Sequence, residues 1–138
     1  MSFFKDLDFF VNKVFSYIGF LPVFLLRLFL GIAFILHGSK KFPLPPQNLI
    51  DYFGFSEFLA SFVAISEVVS GIILIFSGFI KTYLGNLLTR FSALIIVIIM
   101  VCAFYFAHKD WFFNSKLFTS EQIFLLLIGL YFLIKGNK

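Results

Sequence analysis

The sequence is short of charge, cysteine and histidine. Only 13% of residues are Asp, Glu, Lys or Arg, about half the usual share of a soluble domain. The charge missing from the chain is replaced by apolar residues, which make up 61% of it at a mean hydropathy of +1.03. A chain this apolar belongs in lipid. The one cysteine, Cys102, excludes an intramolecular disulfide, a CxxC redox pair and a cysteine-ligated cluster. It sits in an apolar run, where an inert buried thiol is the plain reading. The two histidines, His37 and His108, stand alone. No HxxxH or carboxylate-rich spacing accompanies them, so no metal site is expected. There is no nucleotide-binding loop, no flavin motif and no basic run that would track a phosphate backbone, so nucleic acid is not an expected partner. The net charge of +4 is spread out and suits anionic lipid headgroups.

What the chain does contain is a set of long apolar helices. Residues 1–19 come first. Phe3, Phe4, Leu7, Phe10, Val11, Val14, Phe15 and Ile18 share one helical face, and Lys5, Asp6, Asp8, Asn12, Lys13 and Ser16 share the other. Such a helix lies in the membrane interface or docks on a partner subunit. Asp6, Asp8 and the lack of a small-residue cleavage site argue against a signal peptide. Four spans are then expected, over about 21–37, 57–78, 84–107 and 121–134. The expected fold is all-α: an integral membrane four-helix bundle with an N-terminal amphipathic interfacial helix, the bundle occupying residues 20–138. Pro22 suits the first turn of the first span. The segment Phe42-Pro43-Leu44-Pro45-Pro46 cannot continue it, and a short turn of helix is expected near residues 49–53. Four spans put both termini on one side. That side carries Lys5, Lys13, Lys81, Lys135 and Lys138, with Arg27 and Arg90 close by. The bias of Lys and Arg makes it the cytoplasmic side.

Ionisable groups inside spans are costly and mark functional sites by default. Arg27 and Arg90 lie about six residues in from the cytoplasmic ends of their spans, and Glu67 about eleven. That is an axial gap of roughly 7 Å, which an arginine side chain bridges. An Arg27/Arg90/Glu67 cluster is therefore expected in the inner half. His37, Lys40, Lys41, His108 and Glu121 are expected together at the outer mouth. Ala60, Ala64, Glu67, Gly71, Leu74 and Gly78 fall on one stripe of the second span, and small residues there let helices approach closely. Two readings of the polar groups stay open. They fix helix register, or they hold a ligand with a polar head and an apolar tail. A quinone fits the second reading: its carbonyls need donors, its ring needs aromatic walls and its tail needs lipid. Bis-histidine haem through His37 and His108 has no further support, and neither haem nor flavin is expected.

The residues also resemble a known family. Leu25-Leu26-Arg27, Gly31, Phe34, His37-Gly38 and Lys41-Phe42 are similar to the first-helix signature of the DoxX family. Glu67, Gly71, Leu74 and Gly78 resemble its second helix. Arg90, Ala93-Leu94, Ala103, His108 and Phe112 resemble its third, and Glu121 an acidic residue opening its fourth. The likeness covers about residues 21–135; the stretch between Gly78 and Arg90 is longer than the family's turn there. The resemblance implies a four-helix protein of the bacterial inner membrane, linked to respiratory or thiol-related redox work. The expected function is a quinone-interacting subunit of such a complex, with Arg27, His37, Lys41, Glu67, Arg90, His108 and Glu121 as candidate ligand-binding residues. Gly31, Gly38, Gly71 and Gly78 are the candidate packing residues. The expected partners are the bilayer and a redox complex or a second copy of the chain. The alternative is a non-catalytic scaffold that anchors a soluble redox partner.

Overall fold

The computed structural model describes residues 2–137. Met1 and Lys138, the latter counted above among the inner-side lysines, lie outside the described residues. The protein is all-α. Helix α1 spans Ser2–Ser16, α2 Leu21–Ser39, α3 Gln47–Phe53, α4 Glu57–Ser77 and α5 Tyr83–Ala107. A 3-10 turn over Lys109–Phe113 and the short α6, Lys116–Thr119, lead to α7, Glu121–Lys135.

Local chemistry sets several of these boundaries. Pro22 occupies the first turn of α2, where its missing N–H costs nothing. The short α3 replaces the expected single turn and stops at Gly54, whose φ of 67° is left-handed and favours glycine. Ser56 then caps α4: its Oγ accepts from the Leu59 amide at 3.2 Å. Glu57 in the first turn suits the positive end of the helix dipole.

Three helices, α2, α4 and α5, are long and apolar enough to cross a membrane. Helix α7 has 15 residues, about 22 Å at helical rise, against a hydrocarbon core of about 30 Å. It nevertheless belongs to the same bundle. Helix α2 packs on α4, α4 on α5, α5 on α7, and α7 returns to α2. The core between them contains Leu30, Phe34, Leu74, Ala93, Ile96, Met100, Phe104 and Phe132. Outward positions of the same helices are apolar as well, among them Phe29, Phe62, Ile98 and Leu127. A helix apolar all round is what a bilayer requires. Helix α1 stands apart, with no buried residue along its length.

The tightest contact is between α2 and α4. A Cβ built on Gly71 would lie 2.5 Å from the Gly31 carbonyl oxygen, and one on Gly31 would lie 2.9 Å from that of Gly71. The two backbones therefore touch without intervening side chains, as small-residue interfaces in lipid allow. Two turns along α2, Gly38 sits against Glu67 Cβ and Val68 N. Buried Ser70, Ser77 and Ser92 donate to carbonyls three residues back, those of Glu67, Leu74 and Thr89, so no hydroxyl there needs water.

Gly71→Ala should destabilise the bundle by about 1–3 kcal/mol, the usual cost of overpacking. Gly19→Ala should be silent, because its nearest neighbours lie at 3.6 and 3.7 Å. Thermal unfolding of both variants in detergent checks the contrast.

Candidate functional site

The structure divides the ionisable residues differently from the expectation. Arg27 is 7% exposed and Glu67 is 6% exposed, but they do not meet. Arg27 lies against Gly78, where a built Cβ would come within 2.7 Å of its Cδ. Glu67 is eleven positions earlier on α4, about 16 Å away along the axis. The reason is directional. Helical side chains lean toward the N-terminus of their own helix. Helices α2 and α4 are antiparallel, so Arg27 leans toward one end of the bundle and Glu67 toward the other. The expected Arg27/Arg90/Glu67 cluster is thus corrected to two separate sites.

At the first site the Arg27 guanidinium meets oxygens of neutral groups. One terminal nitrogen donates to the Leu74 carbonyl at 2.8 Å, to Thr89 Oγ1 at 2.9 Å and to Ser77 Oγ at 3.3 Å. The other donates to Asn137 Oδ1 at 2.7 Å. The Phe132 ring lies 4.6 Å from its central carbon, a cation–π distance. Asn137 is held in turn. Its side-chain amide donates to the Ser77 carbonyl at 2.9 Å, and its backbone N–H donates to Asn86 Oδ1 at 3.0 Å. Gly136 makes this possible with φ 66°, a left-handed value, and a Cβ there would collide with Asn86 Oδ1. Among the described residues Arg90 joins neither a carboxylate nor Arg27; it donates to the Leu133 carbonyl at 3.3 Å. Ser77, Thr89, Phe132 and Asn137 were not foreseen from sequence. Small hydroxyl residues inside two adjacent spans were the available signal; the inward turn of Asn137 had none.

At the second site Glu67 Oε2 accepts from Lys41 Nζ in an ion pair. Lys41 follows the end of α2 and reaches back down one turn, which also brings its Nζ to 3.5 Å from the His37 carbonyl. The pair lines a cleft of about 580 Å³ between α4 and α5. Its walls include Phe53, Phe55, Phe62, Phe91 and Phe106, with Cys102 also lining it. Phe53, Phe55 and Phe106 form an edge-to-face aromatic cluster, with Phe55 and Phe106 centroids 5.4 Å apart. Lys41 and Leu49 line a second cavity of about 610 Å³ under the proline-rich loop, together with His37 and Lys40. The expected outer group is only partly assembled. His37 Nε2 lies 3.3 Å from Glu121 Oε1. His108 instead stacks on Trp111, centroids 3.7 Å apart, and Lys41 has turned inward to Glu67. Among the described residues no group of three His, Cys, Asp or Glu is placed to hold a metal ion.

A cleft of this size falls in the ordinary range for small-molecule sites, about 300–1,000 Å³. Its chemistry is one charged pair and the Ser66 hydroxyl in an otherwise aromatic and aliphatic wall. A family model described as DoxX matches residues 23–109, well over half of the 138-residue chain. The chain belongs to the DoxX family. Family membership and the three apolar helices make it a multi-pass membrane protein. The DoxX match contains Arg27, His37, Lys41, Glu67, Arg90 and His108, while Glu121 and Asn137 lie beyond it. No curated protein and no solved structure matches the chain.

Asn137→Ala removes one acceptor from a buried guanidinium and should cost about 1–3 kcal/mol. Gly136→Ala should cost a similar amount through backbone strain. Both losses should appear in urea or thermal unfolding, and Asn137→Asp should recover only part of the first, because its carboxylate meets Arg27 but no longer donates to the Ser77 and Ile80 carbonyls.

Proposed function

We propose that this DoxX-family protein binds a quinone in the cleft between α4 and α5, as a subunit of a respiratory or thiol-linked redox complex of the bacterial inner membrane. The observation that carries the reading is the Lys41–Glu67 pair, with Ser66 beside it, in the wall of a largely apolar, Phe-lined cleft. A quinone, when bound, accepts electrons and protons at its ring. Lys41 would donate a hydrogen bond to a ring carbonyl, and Phe53, Phe55 and Phe106 would pack on the ring. The tail would follow Ile95, Ile98 and Ile99 along α5 toward lipid. Electrons would come from a partner, since the sequence carries neither a cysteine pair nor a flavin motif.

The topology that goes with this reading has four spans, α7 being the short fourth, with both termini cytoplasmic. Lys135 near the end of α7 would reach the headgroups by snorkelling. Helix α1 would lie in the interface. Cysteines placed singly at Ser2, Asn48, Lys81 and Asn114, in a Cys102→Ser background, check this with a membrane-impermeant thiol reagent. Positions 48 and 114 should label from outside the cell, and positions 2 and 81 only after permeabilisation.

A second reading is favoured by one specific observation. Every residue of α1 is exposed, with Phe3, Phe4, Leu7, Phe10, Val14 and Phe15 on one face. That face fits a scaffold that anchors a soluble redox partner, with quinone binding absent. Quinone extraction separates the two. Protein purified in mild detergent should carry quinone, and the Lys41→Met/Glu67→Leu double variant, which strands no buried charge, should lose it and remain folded. Absence of quinone, together with a redox partner lost on deletion of residues 2–16, would favour the scaffold.

A further inference from the structure

The Lys41–Glu67 pair also sets what kind of head the cleft accepts. Glu67 Oε2 is taken by Lys41. No described hydrogen bond reaches Oε1, and among the described residues no side-chain oxygen or nitrogen is both fully enclosed and without a partner. The Oε1 atom of this nine-tenths-buried residue therefore keeps accessible surface, and Glu67 lines the α4–α5 cleft rather than the loop cavity. Lys41 has three donor hydrogens. One serves Glu67 and one points to the His37 carbonyl, which leaves one for an occupant. The pair thus offers one acceptor and one donor side by side in the cleft wall, with net charge zero and the Ser66 hydroxyl beside them.

We infer that the cleft takes an amphiphile with an electrically neutral, hydroxyl-bearing head, and rejects anionic heads. A hydroxyl is donor and acceptor at once, so it satisfies Glu67 Oε1 and Lys41 together. A carbonyl or ether head accepts from Lys41 but has no hydrogen for Glu67 Oε1, so of a quinone's two redox forms the hydroxyl-bearing quinol is the better fit. A carboxylate, phosphate or sulfonate head faces Glu67 at close range, and Lys41 is already neutralised, so the anion gains no free cation. The slot beyond, lined by Phe and Ile side chains, accepts an alkyl or isoprenoid tail. The inference rests on the reading of this cleft as a ligand site.

Cys102, read from sequence as a buried inert thiol, is exposed in the structure and lines the same cleft, so as the single cysteine it reports occupancy. The full chain in nanodiscs of zwitterionic lipid is treated with N-phenylmaleimide, and Cys102 alkylation is timed against added hexadecanol, hexadecyl methyl ether or hexadecanesulfonate. Hexadecanol should protect at roughly tenfold lower concentration than the ether, the size of one hydrogen bond to a charged group. The sulfonate should not protect. In Glu67→Gln the head becomes cationic through Lys41, and the order should invert, with the sulfonate protecting best. Lys41→Gln should keep the sulfonate excluded. Should Glu67→Gln not fold, the wild-type order alone decides. Protection of the wild type by the sulfonate equal to that by hexadecanol would overturn the neutral-head inference and leave the cleft as a site. Protection by none of the three would overturn the cleft reading itself.

Discussion

Side chains on a helix lean toward its N-terminus, and an antiparallel bundle turns that lean into a sorting rule. Neighbouring helices send their polar groups to opposite ends. Arg27 on α2 and Arg90 on α5 lean toward the end of the bundle where Ser77, Thr89 and Asn137 lie, and both find oxygens there. Glu67 on α4 leans the other way and meets Lys41. The positions of the charges follow from this lean more than from their depth along each span. A central charge costs about 2.5–3.5 kcal/mol on insertion scales, so each must find its partners in the direction its helix allows.

The two sites then differ in kind. Around Arg27 every partner among the described residues is a fixed dipole or an aromatic face, held by helix ends and by the inward-turned Gly136-Asn137. That arrangement ties α2, α4, α5 and the end of α7 together. The Lys41–Glu67 pair sits beside a cleft and retains hydrogen-bonding capacity. The close approach of Gly31 and Gly71 connects the two. It fixes how α4 lies along α2, and so which carboxylate the residue after the end of α2 can reach. A bulky residue at either glycine would separate the helices and displace both sites at once.

Much of the architecture was legible in the sequence. The apolar runs located α2, α4 and α5, Pro22 and the proline-rich turn bounded α2, and the small-residue stripe of α4 pointed inward. The alternation of Phe3, Phe4 and Leu7 with Asp6 and Asp8 gave α1. The residues of the sites were legible as types and not as pairs. Depth counted from span ends placed Arg27 within reach of Glu67, because that count ignores which way a side chain leans and how far α2 and α4 slide past each other. Lys41 looked like a mouth residue because it follows the helix. His108 looked like a partner of His37 because both close their spans, yet Trp111 three residues on offers it a nearer face. The aromatic walls of the cleft come from α3, α4, α5 and the loop between α3 and α4, a convergence that no local pattern encodes.

The most direct test of this account is a pair of double-mutant cycles on unfolding free energy, Lys41→Met with Glu67→Leu and Arg27→Met with Glu67→Leu. Contacting residues couple by roughly 0.5–3 kcal/mol, and distant ones are additive within about 0.5 kcal/mol. The account predicts that Lys41→Met and Glu67→Leu are each more destabilising than the two together, because each alone strands a buried charge, while Arg27 and Glu67 are additive. Strong coupling between Arg27 and Glu67, with additivity between Lys41 and Glu67, would contradict it.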